Sequence, residues 1–296
     1  MTGLACGYRS AAYAASLAAL GRAVPLGDTG AFVIEREIAG SAAVDLMGPY
    51  PLLSCTDWDA LGEALAGLGA DAVSLTLVTD PFCPLSAGQL AAIFPLCRPL
   101  HDHYLIDLDA PPALSRHHQR KLRRAGLVEL QAGPAQASDL DDWARLYEML
   151  IARKSIKDLR KFDRESFRHQ LSVPGAHLVS AWEQGEMLGA DLYYQDRGRV
   201  FAHLSAYSDK GYAQSVSYPM MLHAIEYFRD KSEFIDLGGV PTGASGLLEF
   251  KAGWTGVTRP SHLCGKVLNP ARYAELCKGL AETAYFPAYR QNDFKR

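Results

Sequence analysis

The chain has 296 residues, of which 48% are hydrophobic and 21% charged, and its formal net charge is -3. These values exclude a peptide or a small disulfide knot, and they are typical of a folded chain with a real core. The charge is uneven, because residues 1–110 carry 4 basic and 12 acidic side chains whereas residues 111–170 carry 13 basic and 8 acidic ones. A basic stretch therefore follows an acidic first third.

The first 110 residues alternate strand-like and helical patterns, which predicts a mixed α/β unit. Asp57 is a candidate cap for the first helix and Ser86 for the second. Residues 109–112 read Asp-Ala-Pro-Pro, a segment that interrupts regular secondary structure and therefore predicts a domain junction. The predicted strands are 31–38, 42–47, 72–78 and 103–108, and the predicted helices are 58–68 and 86–94.

After the junction, a basic helix over 113–125 ends at Gly126 and leads into a strand over 127–131. A helix over 139–152 follows, with Trp143, Leu146 and Tyr147 on its buried face. Three strand-like runs follow, separated by two turns that contain glycine. This pattern predicts an antiparallel meander. The order of helix, meander, helix and strand is typical of an acyltransferase half-barrel. The remaining predicted elements are strands 176–182, 187–195, 200–207 and 234–237 and helix 216–229.

Six cysteines are scattered along the chain without a C-x-x-C pair. In a chain of this size, that spacing favours reduced thiols over a disulfide framework. The start of the chain lacks the charged segment and cleavage pattern of a secretory signal, and its apolar runs are too short to cross a bilayer. The sequence therefore predicts a cytoplasmic protein with no membrane span.

Two short motifs stand near the end of the second half. Residues 234–239 read FIDLGG and residues 246–254 read GLLEFKAGW. Together they resemble the Fem-type aminoacyl-tRNA-dependent aminoacyltransferases, tandem GNAT-fold proteins that build peptide bridges on cell-wall precursors. The resemblance covers most of the second half and the basic helix, whereas the first half fits only by length and element order.

This resemblance implies an α/β (mixed α+β) fold with tandem GNAT-like domains, each a mostly antiparallel sheet flanked by helices. We expect the second domain to be the catalytic one. The predicted parts are a degenerate GNAT-like domain over 1–110, a basic connecting helix over 111–126, a catalytic GNAT-like domain over 127–268, and a C-terminal helix and tail over 269–296.

The resemblance also implies that Lys251 stabilises the tetrahedral intermediate and that Phe250 shapes the channel beside it. An ester attacked by an amine develops negative charge on its carbonyl oxygen, and a positioned cation stabilises that charge. Asp236 is a candidate proton acceptor that could instead cap the following turn. His203 is a second candidate that could instead be a core histidine. Lys251 itself could be a surface residue.

The basic helix is the predicted RNA-binding element. Its arginines recur every three or four residues and so share a face, and guanidinium groups pair well with phosphate. A solvated surface helix is the competing interpretation. The predicted tRNA-binding residues are Arg116, Arg120, Lys121, Arg123 and Arg124.

We predict substrate contacts from the glycines of the first motif, from two tyrosines of the meander and from the tryptophan of the second motif. Glycines allow close approach of a ligand backbone, although they also punctuate ordinary loops. The predicted substrate-binding residues are Gly238, Gly239, Tyr194, Tyr207 and Trp254.

Acyl-CoA-dependent GNAT proteins hold pyrophosphate on a loop reading roughly Q/R-x-x-G-x-G/A, at the start of a helix. Here residues 208–217 contain only Gly211, so that pattern is missing. His101 and His103 look like a metal pair, but zinc needs three or four convergent ligands. We therefore expect no metal and no cofactor, with aminoacyl-tRNA as the co-substrate.

The sequence thus predicts an enzyme that moves an aminoacyl group from aminoacyl-tRNA to an amine on a small molecule or peptide, forming an amide. No long heptad segment is present, which disfavours a lipid-linked cell-wall acceptor. One alternative is a GNAT N-acyltransferase that uses acyl-CoA or an acyl carrier protein. Another is a non-catalytic GNAT-like module that binds RNA or protein.

Overall fold

The computed structural model describes residues 5–69, 71–126, 128–157 and 159–293. The chain divides into two compact units. The first unit comprises residues 8–100, 157–160 and 260–296, and the second comprises residues 1–7, 101–156 and 161–259. These limits differ from the predicted boundaries at residues 110 and 268, because the C-terminal part of the chain returns to the first unit.

The described residues form ten α-helices and eleven strands. The helices are α1 (Ala11–Ser16), α2 (Leu61–Ala66), α3 (Ala87–Ile93), α4 (Arg116–Arg124), α5 (Leu140–Lys154), α6 (Arg164–Leu171), α7 (Asp209–Gln214), α8 (Ser217–Phe228), α9 (Ser245–Ala252) and α10 (Pro270–Cys277). The strands are β1 (Arg22–Pro25), β2 (Phe32–Glu37), β3 (Val44–Met47), β4 (Ala72–Val78), β5 (Leu96–Asp107), β6 (Glu129–Pro134), β7 (Ala176–Glu183), β8 (Glu186–Asp196), β9 (Arg199–Tyr207), β10 (Phe234–Asp236) and β11 (Thr258–Val267).

In the first unit, the strands run in the order β1-β2-β3-β4-β11. The pairing is antiparallel except between β3 and β4, which are parallel. Leu61 and Leu65 of α2 lie in one core cluster with Leu46 and Leu75 of the sheet. This unit is therefore a mostly antiparallel sheet with a helix packed on it.

In the second unit, the order is β5-β10-β9-β8-β7-β6. Strands β6, β7, β8 and β9 pair antiparallel with one another in that order, which confirms the predicted meander. Strand β10 lies parallel to β9 and antiparallel to β5. The crossover from β9 to β10 passes through α7 and α8, so the first motif emerges at the end of a central strand.

Helices cover the sheet of the second unit with large apolar side chains. Met220, Ile225 and Phe228 of α8 are buried in one cluster with strand residues such as Val200 and Ile235. Helix α5 buries Trp143 and Tyr147 as its pattern predicted, and both rings contact Phe167 of α6. The hydrophobic periodicity therefore determined which face of each long helix is buried.

Several elements were not predicted. Helices α6, α7 and α9 are short and polar or irregular in pattern, so the 3.6-residue signal is weak in each. Strands β1 and β11 were also missed, and β5 begins seven residues before the predicted start because its first half contains Arg98 and Pro99. Leu127, where the sequence placed the start of the next strand, lies outside the described residues; the strand is seen from Glu129.

No helix among the described residues combines the length and the apolar character needed to span a lipid bilayer.

The first unit contains a buried ion cluster around Asp45. This carboxylate is fully buried and accepts hydrogen bonds from Arg36, Tyr289 and Arg290. The Asp45–Arg290 contact measures 2.8 Å and joins the sheet to the C-terminal segment. Because a buried charge is costly without its partner, this cluster fixes the return of the chain to the first unit.

We predict that Asp45→Asn lowers the free energy of unfolding by about 3–5 kcal/mol, because the largely buried guanidinium groups of Arg36 and Arg290 lose the buried anion that they share. Urea unfolding measures this change. The matched control is Glu35→Gln, which breaks an ion pair whose Arg22 side chain is 71% exposed and which should cost about 1 kcal/mol or less. Equal losses in the two variants would contradict the prediction.

Candidate active site in the second unit

Lys251 is buried although it lies on a short helix near the surface. Helix α9 turns Leu247 and Leu248 outward, with 40% and 44% of their surface exposed, whereas Lys251 keeps only 8%. Its ammonium donates a hydrogen bond of 2.8 Å to the carbonyl oxygen of Gly239. Burial lowers the pKa of Lys251 from 10.5 to about 8, and the Asp236 carboxylate opposes that shift. The helix thus directs a cation inward.

The two glycines of the first motif form the turn that receives this cation. Gly238 has a φ of +79°, a conformation that side chains rarely adopt, and a Cβ there would lie 3.3 Å from the Lys251 Nζ. A Cβ at Gly239 would lie 2.5 Å from the Cβ of His101. Gly238 is therefore favoured by its backbone conformation, and Gly239 by the close packing of His101.

Asp236 ends β10 directly before this turn. Its carboxylate accepts a hydrogen bond from the Gly238 backbone N–H at 2.7 Å, so it caps the turn as one of the predicted alternatives required. It also accepts from His103 Nδ1, with distances of 2.8 and 3.0 Å to its two oxygens. Asp236 and His103 are both buried. The carboxylate is thus shared between the turn and a histidine of β5.

Sequence reasoning considered His101 and His103 only as a metal pair. The two-residue period of β5 places both on one face of the strand, where His103 meets Asp236 and His101 packs against Gly239. Burial, with the charges of His103 and Lys251, lowers the pKa of His101 below 6.5. In the described parts of the chain, no three His, Cys, Asp or Glu side chains converge as a metal site would require.

His118 connects the basic helix α4 to α9, the helix that carries Lys251. It is fully buried, and its Nε2 lies 2.8 Å from the carbonyl oxygen of Phe250, while Nδ1 lies 2.8 Å from Ser115 Oγ. Because a carbonyl only accepts, Nε2 carries the proton and Nδ1 accepts from the hydroxyl. Burial lowers the pKa of His118, which favours this neutral form. Sequence analysis missed this contact.

Aromatic rings complete the junction between α4 and α9. The His118 ring packs edge-on against Trp254 and Tyr218 at 5.0 Å each, and Phe250 lies 5.3 Å from Tyr218. Trp254 is 1% exposed, so this predicted substrate contact lies within the core. Phe250, the predicted channel residue, is half-buried at the edge of the same cluster. The second motif thus holds α4 and α9 together.

A basic cleft of about 310 Å³ opens beside α4. Lys121 Nζ donates to Ser215 Oγ at 3.3 Å across one side of it. Of the five predicted tRNA-binding residues, three line the cleft, whereas Arg116 and Arg123 are exposed on the helix outside its lining. The lining residues are His117, Arg120, Lys121, Arg124, Ala213, Gln214 and Ser215. We call this feature the basic cleft.

The other predicted site residues lie elsewhere in the second unit. His203 is buried on β9, where its ring stacks on Tyr194 at 4.8 Å. Burial lowers the pKa of His203 to about 3, so it is neutral and only weakly basic near pH 7. The Tyr194 side chain is fully buried, and the Tyr207 hydroxyl donates to Asp191 at 2.6 Å. Asp236, the other candidate proton acceptor, contacts the Gly238 turn directly.

Comparisons with known proteins bear on this arrangement. A family model described as an acetyltransferase (GNAT) domain matches residues 115–251, the stretch from the start of α4 to Lys251. The search of curated proteins returned no match.

Solved structures resemble nearly the whole chain. FemX is 13% identical, with 90% of this chain and 93% of that chain covered and a TM-score of 0.63. The C-terminal domain of a proposed lysylphosphatidylglycerol synthetase from Agrobacterium fabrum is 16% identical, with 90% of each chain covered and a TM-score of 0.57. L-PGS from Bacillus licheniformis is 15% identical, with 88% of each chain covered and a TM-score of 0.57. The chain therefore has the Fem-like tandem GNAT fold.

Proposed function

We propose that this protein transfers an aminoacyl group from aminoacyl-tRNA to an amine on a small molecule or peptide, forming an amide. The observation that carries the proposal is the buried ammonium of Lys251 in the Gly238–Gly239 turn. The names of FemX and of the lysylphosphatidylglycerol synthetase domain support aminoacyl transfer as the type of reaction.

Lys251 suits the charge that develops in this reaction. An ammonium has three N–H groups, and among the described residues Gly239 supplies its one hydrogen-bond acceptor. The remaining donors can bind the carbonyl oxygen of the ester as it becomes an oxyanion. Because the ammonium is largely removed from water, that contact is worth about 3 kcal/mol in the transition state.

The backbone after β9 supports a donor other than acyl-CoA. In a pyrophosphate loop, free backbone N–H groups face the phosphates. Here the N–H groups of Gly211, Tyr212 and Ser215 donate within the segment itself, to Ser208 Oγ, Ser208 O and Tyr212 O. Phosphate binding at this place would therefore depend on the side chains of α4 rather than on backbone amides.

The basic cleft has the chemistry that an RNA phosphate requires. Arg120, Lys121 and Arg124 line it from one side, and its other described lining residues carry no negative charge. Contact with several phosphates would release counterions and make binding strongly salt-dependent. His118 fixes α4 to α9, so a phosphate in the cleft would be held at a constant position relative to Lys251.

The direct test incubates the protein with charged tRNA and a panel of amines, and follows amide formation with and without RNase. RNase-sensitive product supports the proposal. Product that forms equally well after RNase treatment, or only with acyl-CoA or an acyl carrier protein, would assign the chain to the alternative N-acyltransferase. Salt-sensitive tRNA binding without transfer from any donor would favour a non-catalytic RNA-binding module.

We predict that Lys251→Met lowers kcat at least ~10²-fold, because the oxyanion loses its cation. Steady-state kinetics with charged tRNA measure this loss, and circular dichroism checks that the variant is folded. Lys278→Met, at an exposed lysine of the first unit, is the matched control. Unchanged turnover in the Lys251 variant would remove the mechanism.

The lowered pKa of Lys251 also predicts a pH-dependent stability. Below pH 8 both the folded and the unfolded chain protonate this amine, whereas between pH 8 and pH 10.5 only the unfolded chain does. Since the unfolded state then binds more protons, the free energy of unfolding rises with pH in this window. The wild type should gain up to about 3 kcal/mol relative to Lys251→Met. Urea unfolding at both limits measures the difference, and a pH-independent difference would contradict the burial of the charge.

The cleft predicts unequal roles for the arginines of α4. The double variant Arg120→Ala/Arg124→Ala should weaken binding of a charged acceptor-stem RNA about tenfold and lower its salt slope by roughly 1–2. The double variant Arg116→Ala/Arg123→Ala removes the same charge from the same helix outside the cleft lining, and it should have a smaller effect. Fluorescence anisotropy at several salt concentrations measures both. Equal effects would mean that RNA contacts the whole helix instead.

A further inference from the structure

We propose that His103 is the general base of this transfer and that Asp236 is its positioning residue. The inference rests on the proposed function and adds the group that activates the acceptor amine. Neither the family match nor the named structural neighbours specify such a group, and sequence reasoning read His103 only as a weak metal candidate.

The hydrogen bond between the two residues fixes the state of the imidazole. Both oxygens of Asp236 lie within 3.0 Å of His103 Nδ1. Because an ionised carboxylate only accepts, Nδ1 carries a proton, and Nε2 is the nitrogen left to exchange a proton with a substrate. Asp236 is itself held by the Gly238 N–H at 2.7 Å, so it cannot rotate without breaking the turn. An oriented imidazole with a basic outer nitrogen is the result.

The pairing of β5 with β10 brings His103 to the turn that binds Lys251. Asp236 pairs with Leu105 across β10 and β5, and Leu237 N donates to Tyr104 O at 2.8 Å. Tyr104 N donates in turn to Gly238 O at 3.5 Å, so the turn lies beside the residue that follows His103. Gly238 is the residue whose Cβ position lies 3.3 Å from Lys251 Nζ. His103, through Asp236, and Lys251 are therefore both linked to the same turn.

Three titratable side chains lie around His103. Asp236 faces it from β10, Lys251 lies at the turn from α9, and His101 shares its face of β5. The imidazole contacts the Asp236 carboxylate, and the Lys251 ammonium binds the turn that this carboxylate caps. The imidazole accepts a proton while the ammonium faces developing negative charge.

The step balances as follows. His103 Nε2 removes a proton from the acceptor amine as the amine nitrogen forms a bond to the ester carbonyl carbon. The carbonyl electron pair moves to oxygen, where Lys251 stabilises it. When the tetrahedral intermediate collapses, the bond to the ribose oxygen breaks, and Nε2–H returns its proton to that leaving group. The products are an amide and a free ribose hydroxyl.

His103→Gln provides the main test, because a glutamine amide can still donate to Asp236 but cannot take a proton. We expect kcat/KM to fall 10²- to 10⁴-fold. We also expect the acidic limb of the wild-type pH–rate profile to disappear. His223→Gln, at a half-buried histidine of α8, is the matched control and should leave the profile unchanged.

Two further variants separate proton transfer from folding. In His103→Ala, added imidazole should restore activity, which a merely structural role would not allow. In Asp236→Asn, kcat should fall about as far as in the histidine variant, because the amide no longer holds Nδ1 as the donor, while KM for the charged RNA stays unchanged. Circular dichroism monitors folding of each variant.

The outcomes are distinguishable from those of the proposed function. If the wild type transfers an aminoacyl group but His103→Gln keeps its rate and its pH profile, the inference is overturned and the transfer reaction stands. A folded His103→Ala that imidazole does not rescue also overturns it. If the wild type uses only a thioester donor, the same variants are assayed with that donor. If the wild type is inactive with every donor, the proposed function is overturned. The assignment of His103 as its general base is then overturned as well.

Discussion

The site depends on one interaction, the hydrogen bond from the buried ammonium of Lys251 to the carbonyl oxygen of Gly239. A charge removed from water is costly unless polar groups replace the solvent. Here the replacement is a carbonyl dipole, with the Asp236 carboxylate near enough to oppose the lowering of the lysine pKa. The glycines of the turn have separate reasons: Gly238 has a positive φ, and a Cβ at Gly239 would collide with His101.

The turn also explains why Asp236 ends its strand with a charged side chain. The carboxylate accepts hydrogen bonds from the Gly238 N–H and from His103 Nδ1, and its charge opposes the lowering of the Lys251 pKa. One buried anion thus organises a backbone turn, a histidine and a cation. A buried polar group of this kind is stable only when its partners are in place, which makes the cluster a cooperative unit.

A second link connects this cluster to the basic cleft. His118 reaches from α4 to the Phe250 carbonyl, one residue before Lys251, and aromatic rings pack around the contact. The two faces of helix α4 therefore make different contacts. Its buried face packs against α9, the helix that carries Lys251, and its exposed face lines the cleft. In the proposed reaction, this arrangement would transmit the position of an RNA phosphate to the reacting ester through rigid packing.

The sequence by itself determined the elements with strong periodicity, namely the meander, the long helices α5 and α8 and the existence of a basic helix, because burial of one face imposes a regular spacing. It also pointed to Lys251 and Asp236 through two short motifs. The tertiary structure decided the rest. His103 lies 133 residues before Asp236 along the chain, and no local pattern reports a contact formed by pairing β5 with β10. The return of residues 260–296 to the first unit depends likewise on Asp45 and Arg290, which only the folded chain brings together. Helix α9 would be judged from its pattern to bury its leucines, yet it buries its lysine, because the acceptor for that ammonium is supplied by a distant turn.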